Sequence, residues 1–261
     1  MCFDFSIFLK KTRHYIKPLE LETEEEELLS DTLNKAIEET QSANSYHISG
    51  FSHRYVPAFH KNKNKLIEAI PLQWGLVPFW IKNKEDADNI ASKTLNARSE
   101  TMLQKPSYRR AAAKKRVIIP MDSFYEYHHY PNKKVEPFRV MPKSDEPLYA
   151  AGIADRWVDK ETGEEILSFS LVTTEALGSM ALLHNNPKLK EPRCPIFFTP
   201  MEALKWSDEL DKNEIMDLCT PRNHEFEYYP IQKLRGKNYP GNTEELLKPV
   251  EAPPIEGVWE G

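Results

Sequence analysis

The feature that most limits how this chain can fold is a series of short apolar runs between residues 66 and 175, punctuated by prolines. The runs span 67–74, 117–119, 138–141, 149–154 and 167–173. Each has the length of a strand, and turn residues bound them. Proline cannot donate to a β-ladder, so prolines 71, 78, 120, 137 and 142 predict strand ends and edges. Strands in succession, without a helix between each pair, exclude a doubly wound sheet and predict an antiparallel core that wraps into a barrel or sandwich. Helices flank it. Leu28, Leu29, Leu33, Ala36 and Ile37 recur at helical spacing over 23–43, with Thr23 and Glu26 as a capping box. A second helix starts near 200, with Thr199 as cap, Pro200 in the first helical position and Glu202 closing the box. A late strand is predicted over 226–231. The fold class is therefore α+β, one domain over 1–250, with a flexible tail over 251–261.

Composition narrows the function classes. No run approaches the roughly 20 apolar residues of a membrane span, and Asp4 interrupts the N-terminus where a signal peptide would be apolar. A cytoplasmic protein, monomeric by default, is expected. The three cysteines, Cys2, Cys194 and Cys219, form no CxxC pair and no zinc framework, so no metal or cofactor is assigned. A net charge of −5 removes any bulk electrostatic case for nucleic acid. A DNA site would need a local basic patch, for which Arg109-Arg110 and Lys114-Lys115-Arg116 are the candidates.

Four places carry chemistry. Removal of Met1 would leave Cys2 with an amine and a thiol on one residue. The amine adds to an aldehyde to give an imine, and the thiol closes a thiazolidine ring; reference values of about 8 and about 8.5 put both groups within reach of neutral pH. Asn96 and Arg98 lie two apart, on one face of an extended segment, where both can hold an oxyanion. Glu126, among Phe124, Tyr125 and Tyr127, sits where a carboxylate can shuttle protons. His184 ends an apolar run and is a candidate acid–base. Each signal alone also has a plain structural account.

Together, their order and spacing resemble the SRAP family, the SOS response-associated peptidases, whose members protect abasic sites. The resemblance rests on Met1-Cys2, Trp74-Gly75-Leu76-Val77-Pro78-Phe79-Trp80, Asn96-Ala97-Arg98-Ser99-Glu100-Thr101, Arg116 through Pro120 leading into Phe124-Tyr125-Glu126-Tyr127, Thr173-Thr174, His184 with Arg193-Cys194-Pro195, and Tyr229-Pro230-Ile231. It implies an SRAP fold and a partner, single-stranded DNA carrying an abasic site. It also implies roles: Cys2 as the crosslinking residue, freed by autocatalytic loss of Met1; Asn96 and Arg98 on the flanking phosphate; Glu126 as proton shuttle; His184 as acid–base for opening the sugar. Pro78 and Trp80 line the DNA channel in such a protein, and Arg193 lies near DNA. Three departures stand out: Phe3-Asp4 replaces Gly-Arg after the cysteine, residues 186–192 split the His-x-Arg run, and Cys194 stands where the family has Met.

Two other classes remain open on sequence. An N-terminal-nucleophile hydrolase acting in trans on peptides or amides could use Cys2, Glu126 and His184 without DNA. A non-catalytic single-stranded DNA-binding module would leave Cys2 incidental. The Asn96/Arg98 pair favours the crosslinker over the hydrolase, because a peptidase has no need of a phosphate clamp.

Overall fold

The computed structural model describes residues 2–8, 12–144 and 146–255. The chain begins with β1 (Asp4–Ile7), α1 (Thr12–Ile16) and the long α2 (Thr23–Thr40), then β2 (Ser45–Ser49), β3 (Tyr55–Lys61) and β4 (Ile67–Trp74). Next come α3 (Lys84–Ala91), β5 (Asn96–Arg98), α4 (Ser99–Met102), α5 (Arg109–Lys114) and β6 (Arg116–Met121). The strands β7 (Ser123–His129), β8 (Val135–Pro142), β9 (Leu148–Val158) and β10 (Glu165–Glu175) follow. The last third holds α6 (Ser179–Leu183), β11 (Arg193–Pro195), β12 (Phe197–Phe198), α7 (Pro200–Trp206), α8 (Lys212–Leu218) and β13 (Phe226–Pro230).

Every apolar run read as a strand lies in one. β3, β4, β10, β9 and β6 close into a barrel. Four of its seams are antiparallel. The fifth, β4 to β10, is parallel; parallel neighbours need a long crossover, and residues 75–164 provide it. A second sheet, in the order β13-β8-β7-β1-β2, is antiparallel throughout. The result is the α+β fold with a barrel-like core that the sequence predicts. The prolines depart from expectation, since Pro71, Pro120 and Pro137 lie inside strands, Pro137 just before the β13 ladder begins at Phe138. Each has a ladder on one flank only: β10 joins β4 only at Gln73 and Trp74, and β3 meets β6 only at Phe59 and Ile118.

Phe5 of the open sheet packs on Trp74 of the barrel (5.0 Å between centroids), and Trp74 stacks on Phe169 at 6.1 Å. Such ring pairs add about 0.5–1.5 kcal/mol each beyond their buried area. The Phe5–Trp74 pair joins the two sheets near the start of β1. On the outside of the barrel, α2 buries Leu29, Leu33 and Ala36; each buried leucine contributes roughly 1.5–3 kcal/mol. Its N-cap is Glu22, with no side-chain cap bond, so Thr23 begins the first turn and the expected Thr23/Glu26 box does not form. The box at Thr199 and Glu202 does form, with Pro200 following the cap.

Arg116 leaves the predicted basic patch. It is buried, and its guanidinium donates to the carbonyls of Trp206, Ala112, Ala113 and Asp208, tying α5 to the end of α7. Within the segment read as a tail, Pro253 O accepts from Tyr130 Oη at 2.6 Å and Ile255 is buried; residues 256–261 lie outside the described residues. Among the described residues no helix is long and apolar enough to cross a membrane.

Candidate active site

Cys2 stands just ahead of β1, which runs between β7 and β2. The β1–β7 ladder pairs Asp4 with Tyr125, so its next step toward the N-terminus brings Phe3 level with Glu126. Cys2 and Glu126 are thereby delivered to one end of the sheet, and both are buried, at 0% and 2% exposure. The Cys2 thiol hydrogen-bonds Asp4 O at 3.4 Å. Burial, and after it the Glu126 carboxylate, push this thiol well above its ordinary range. Burial and Glu126 also raise the nearby thiol of Cys194.

β5 enters from the barrel side, parallel to β10, with Asn96 opposite Leu171 and Arg98 opposite Thr173. Ala97 points into the core at 0% exposure, while Asn96 and Arg98 share the opposite face, as their spacing predicts. Asn96 Nδ2 donates to Cys2 O at 2.8 Å and so grips the first described residue of the chain. Tyr108 Oη donates to Asn96 O at 3.2 Å and steadies the same strand.

His184 follows α6 and is 4% exposed. Its Nδ1 lies 2.6 Å from Arg193 O and 3.6 Å from Glu126 Oε2. A carbonyl only accepts, so Nδ1 carries a hydrogen and Nε2 is the nitrogen able to take another proton. The segment 186–192 therefore leaves His184 and Arg193 in contact. His128 and His129 are the end of β7 and fasten this turn. His128 Nδ1 donates to Leu183 O at 3.2 Å, and Asn185 exchanges hydrogen bonds with the backbone of His129 at 2.7 and 2.9 Å. The residues on both sides of His184 are thus tied to the strand that bears Glu126, a link between positions too distant for the sequence to reveal.

A family model described as "SOS response associated peptidase (SRAP)" matches residues 1–237. The chain belongs to the SRAP family. It is 32% identical over 181 residues to the abasic site processing protein YoqW of Bacillus subtilis (strain 168), covering 68% of this chain and 75% of that protein. It is 30% identical over 201 residues to the abasic site processing protein HMCES of Gallus gallus, covering 69% of this chain and 57% of that protein. A crystal structure of a protein from Bacteroides thetaiotaomicron superimposes with a TM-score of 0.75 at 28% identity, over 96% of this chain and 100% of the other.

Two departures from the usual SRAP sequence acquire a structural meaning. Asp4, where the SRAP pattern has Arg, is fully buried; its carboxylate accepts from His47 at 2.8 Å and from Arg235 at 2.8 and 3.0 Å. The insertion over 186–192 places Glu191 Oε1 at 3.3 Å from Arg98 Nη1 and 2.9 Å from Arg193 Nη1. Arg193 itself is fully covered, with a two-point bond to Glu100 at 2.9 Å and a further bond to Thr173 O at 2.6 Å. At Glu100, burial pulls the carboxyl upward, but the Arg193 bonds outweigh it and the net shift is downward.

Of the two positions expected to line a DNA channel, Pro78 is buried and Trp80 is 46% exposed. Gly75, at φ 117°, turns the chain from β4 toward them. An added Cβ there would lie 2.7 Å from Ala91 O, so only glycine fits the turn. Phe79, which sequence reasoning passed over, is 49% exposed and carries Arg110 4.1 Å above its ring. The remaining basic patch is shared with a buried acid: Lys115 and Arg110 lie 3.2 and 4.0 Å from Asp155.

Proposed function

We propose that this protein processes abasic sites in single-stranded DNA by forming a thiazolidine crosslink through Cys2, after it has removed its own Met1. Met1 lies outside the described residues. The observation that carries the reading is the bond from Asn96 to Cys2 O at 2.8 Å, which sets the chain's start beside Glu126, itself 3.6 Å from His184. The family role of the relatives supports the same reading.

The chemistry balances without a cofactor. His184 assists opening of the sugar to its aldehyde. The Cys2 amine adds to the aldehyde carbon, and the carbinolamine loses water as Glu126 protonates the departing hydroxyl. The thiol sulfur then bonds to the imine carbon, and its proton ends on the ring nitrogen. Aldehyde plus aminothiol gives thiazolidine plus one water. Proximity supplies much of the rate, because amine and thiol share one residue. Glu126 also serves in hydrolysis of the Met1–Cys2 bond.

Arg98, 40% exposed, takes the flanking phosphate in place of Glu191. Trp80 stacks on a base, an interaction of about 1–3 kcal/mol that needs no net positive charge on the protein. Arg193 acts from beneath, orienting Glu191 and Glu100 beside Arg98. Residues 1–250 work as one domain and one monomer, in the cytoplasm. A hydrolase acting in trans fits less well. It would have no use for the Asn96 and Arg98 pair, which stands on one face of β5 as a phosphate clamp would.

The test is a denaturing gel after incubation with single-stranded DNA bearing one abasic site. The parent protein gives a shifted band that survives denaturation, Cys2→Ala gives none, and Glu126→Ala forms it more slowly. Equal adduct from Cys2→Ala would end the proposal.

A further inference from the structure

The residues just after Cys2 carry a surface that the crosslinking chemistry does not use. Phe51, in the turn after β2, is 49% exposed. Its ring lies 5.2 Å from that of Phe3, the residue bonded to Cys2, and Gly50 N donates to Phe3 O at 2.8 Å. On Phe51 rests Arg235, whose guanidinium carbon is 5.3 Å from the ring centroid. Phe3, Phe51 and Arg235 thus form a row that starts one residue from the nucleophile.

Arg235 is held from two directions. Its Nη2 bonds both oxygens of the buried Asp4, at 2.8 and 3.0 Å. Asp4 is in turn fixed by His47, whose other ring nitrogen meets Tyr239 Oη at 2.8 Å. The backbone on either side is anchored as well: Ile231, Leu234 and Leu246 are buried against Tyr125. A guanidinium fixed in this way loses little further freedom when it binds. The side chain nevertheless remains 51% exposed. Among the described residues its hydrogen bonds run through Nη2 alone, so Nη1 and Nε are left for an outside acceptor.

We infer that Phe51 and Arg235 form a nucleotide subsite beside Cys2, Phe51 stacking on a base and Arg235 donating to a backbone phosphate. The assignment of the ligand as single-stranded DNA rests on the function proposed above. Asp4, which removes a cation from the chain's start, thereby positions another at the same place.

The experiment is equilibrium binding of a fluorescent oligodeoxythymidine that holds a tetrahydrofuran abasic analogue, which has no aldehyde and cannot crosslink. Fluorescence anisotropy is read over a range of salt. Phe51→Ala should weaken binding about ten-fold, the loss of one stacked base. Arg235→Gln should weaken it and reduce the salt slope by up to about 0.7, one single-strand phosphate contact; Arg235→Lys should keep the slope. Phe51 is a surface side chain, so Phe51→Ala remains informative if Arg235→Gln unsettles Asp4. Unchanged affinity in both Phe51→Ala and Arg235→Gln would overturn the subsite. Crosslinking to aldehyde-bearing DNA, run in parallel, separates the two readings. Adduct without any effect of these variants on binding sinks the subsite alone. Variant-sensitive binding without adduct upholds the subsite and sinks the crosslink.

Discussion

Arg98 and Arg193 share one carboxylate oxygen, Glu191 Oε1, yet they stand in opposite situations. Arg193 is fully buried and engages Glu100, Glu191 and Thr173. Arg98 is 40% exposed, and its contact with Glu191 is a single one at 3.3 Å. The two are the same residue type, on strands that flank β10, but burial divides their work. A buried guanidinium must keep its acceptors, because stripping them leaves a charge without solvent. An exposed one can exchange a weak partner for a phosphate at little cost. The insertion over 186–192 thus supplies an acid that is structural toward one arginine and displaceable toward the other.

The sharpest way to break this contrast is to remove each arginine in turn. Arg193→Ala should destabilise the fold by about 2–5 kcal/mol, because it leaves a cavity at a fully covered position and strips Thr173 O of its donor, seen as a lower urea midpoint. Arg98→Ala should shift stability by no more than about 0.5 kcal/mol. It should still lose about ten-fold or more in single-stranded DNA affinity, as expected when a charge-assisted hydrogen bond disappears. If Arg98→Ala unfolds the protein and Arg193→Ala does not, the assignment is reversed.

Smaller effects sharpen the same comparison. Glu191→Gln frees Arg98 of a competing charge and should tighten DNA binding by a few-fold, the size of an exposed ion pair of about 0.2–1 kcal/mol; a weaker complex would mean that Glu191 helps to shape the site. The smallest effect concerns pH. Glu100 has its folded-state pKa lowered, on balance, by Arg193. Its contribution is therefore complete above the ordinary value of 4.5 and is lost as pH falls through the lowered one. Stability should decline with acid below that value in the parent and decline less in Glu100→Gln.

How much of this was legible in the sequence depends on how far each contact reaches. The strands β4, β6, β8, β9, β10 and β13, the Thr199 cap and the shared face of Asn96 and Arg98 follow from neighbours within a few residues, and they are read correctly. β1 and β2 were not anticipated. Their polar residues look unsuited to a core until partners arrive from far along the chain: Ser123 for Ser6, Arg235 for Asp4 and Asn242 for the backbone of His47. The supports given to His184 by His128 and His129 are invisible for the same reason. The burial of Arg116 was missed because a run of basic residues carries no mark of which one turns inward to meet helix-end carbonyls.

The most direct measurement is mass spectrometry of the N-terminal peptide recovered after reaction with single-stranded DNA containing an abasic site. The expected peptide begins at Cys2, lacks Met1, and carries the deoxyribose remnant at a mass equal to the sum of the parts less one water. A peptide that retains Met1 while the protein still crosslinks, or a remnant found on any residue other than Cys2, would contradict the mechanism.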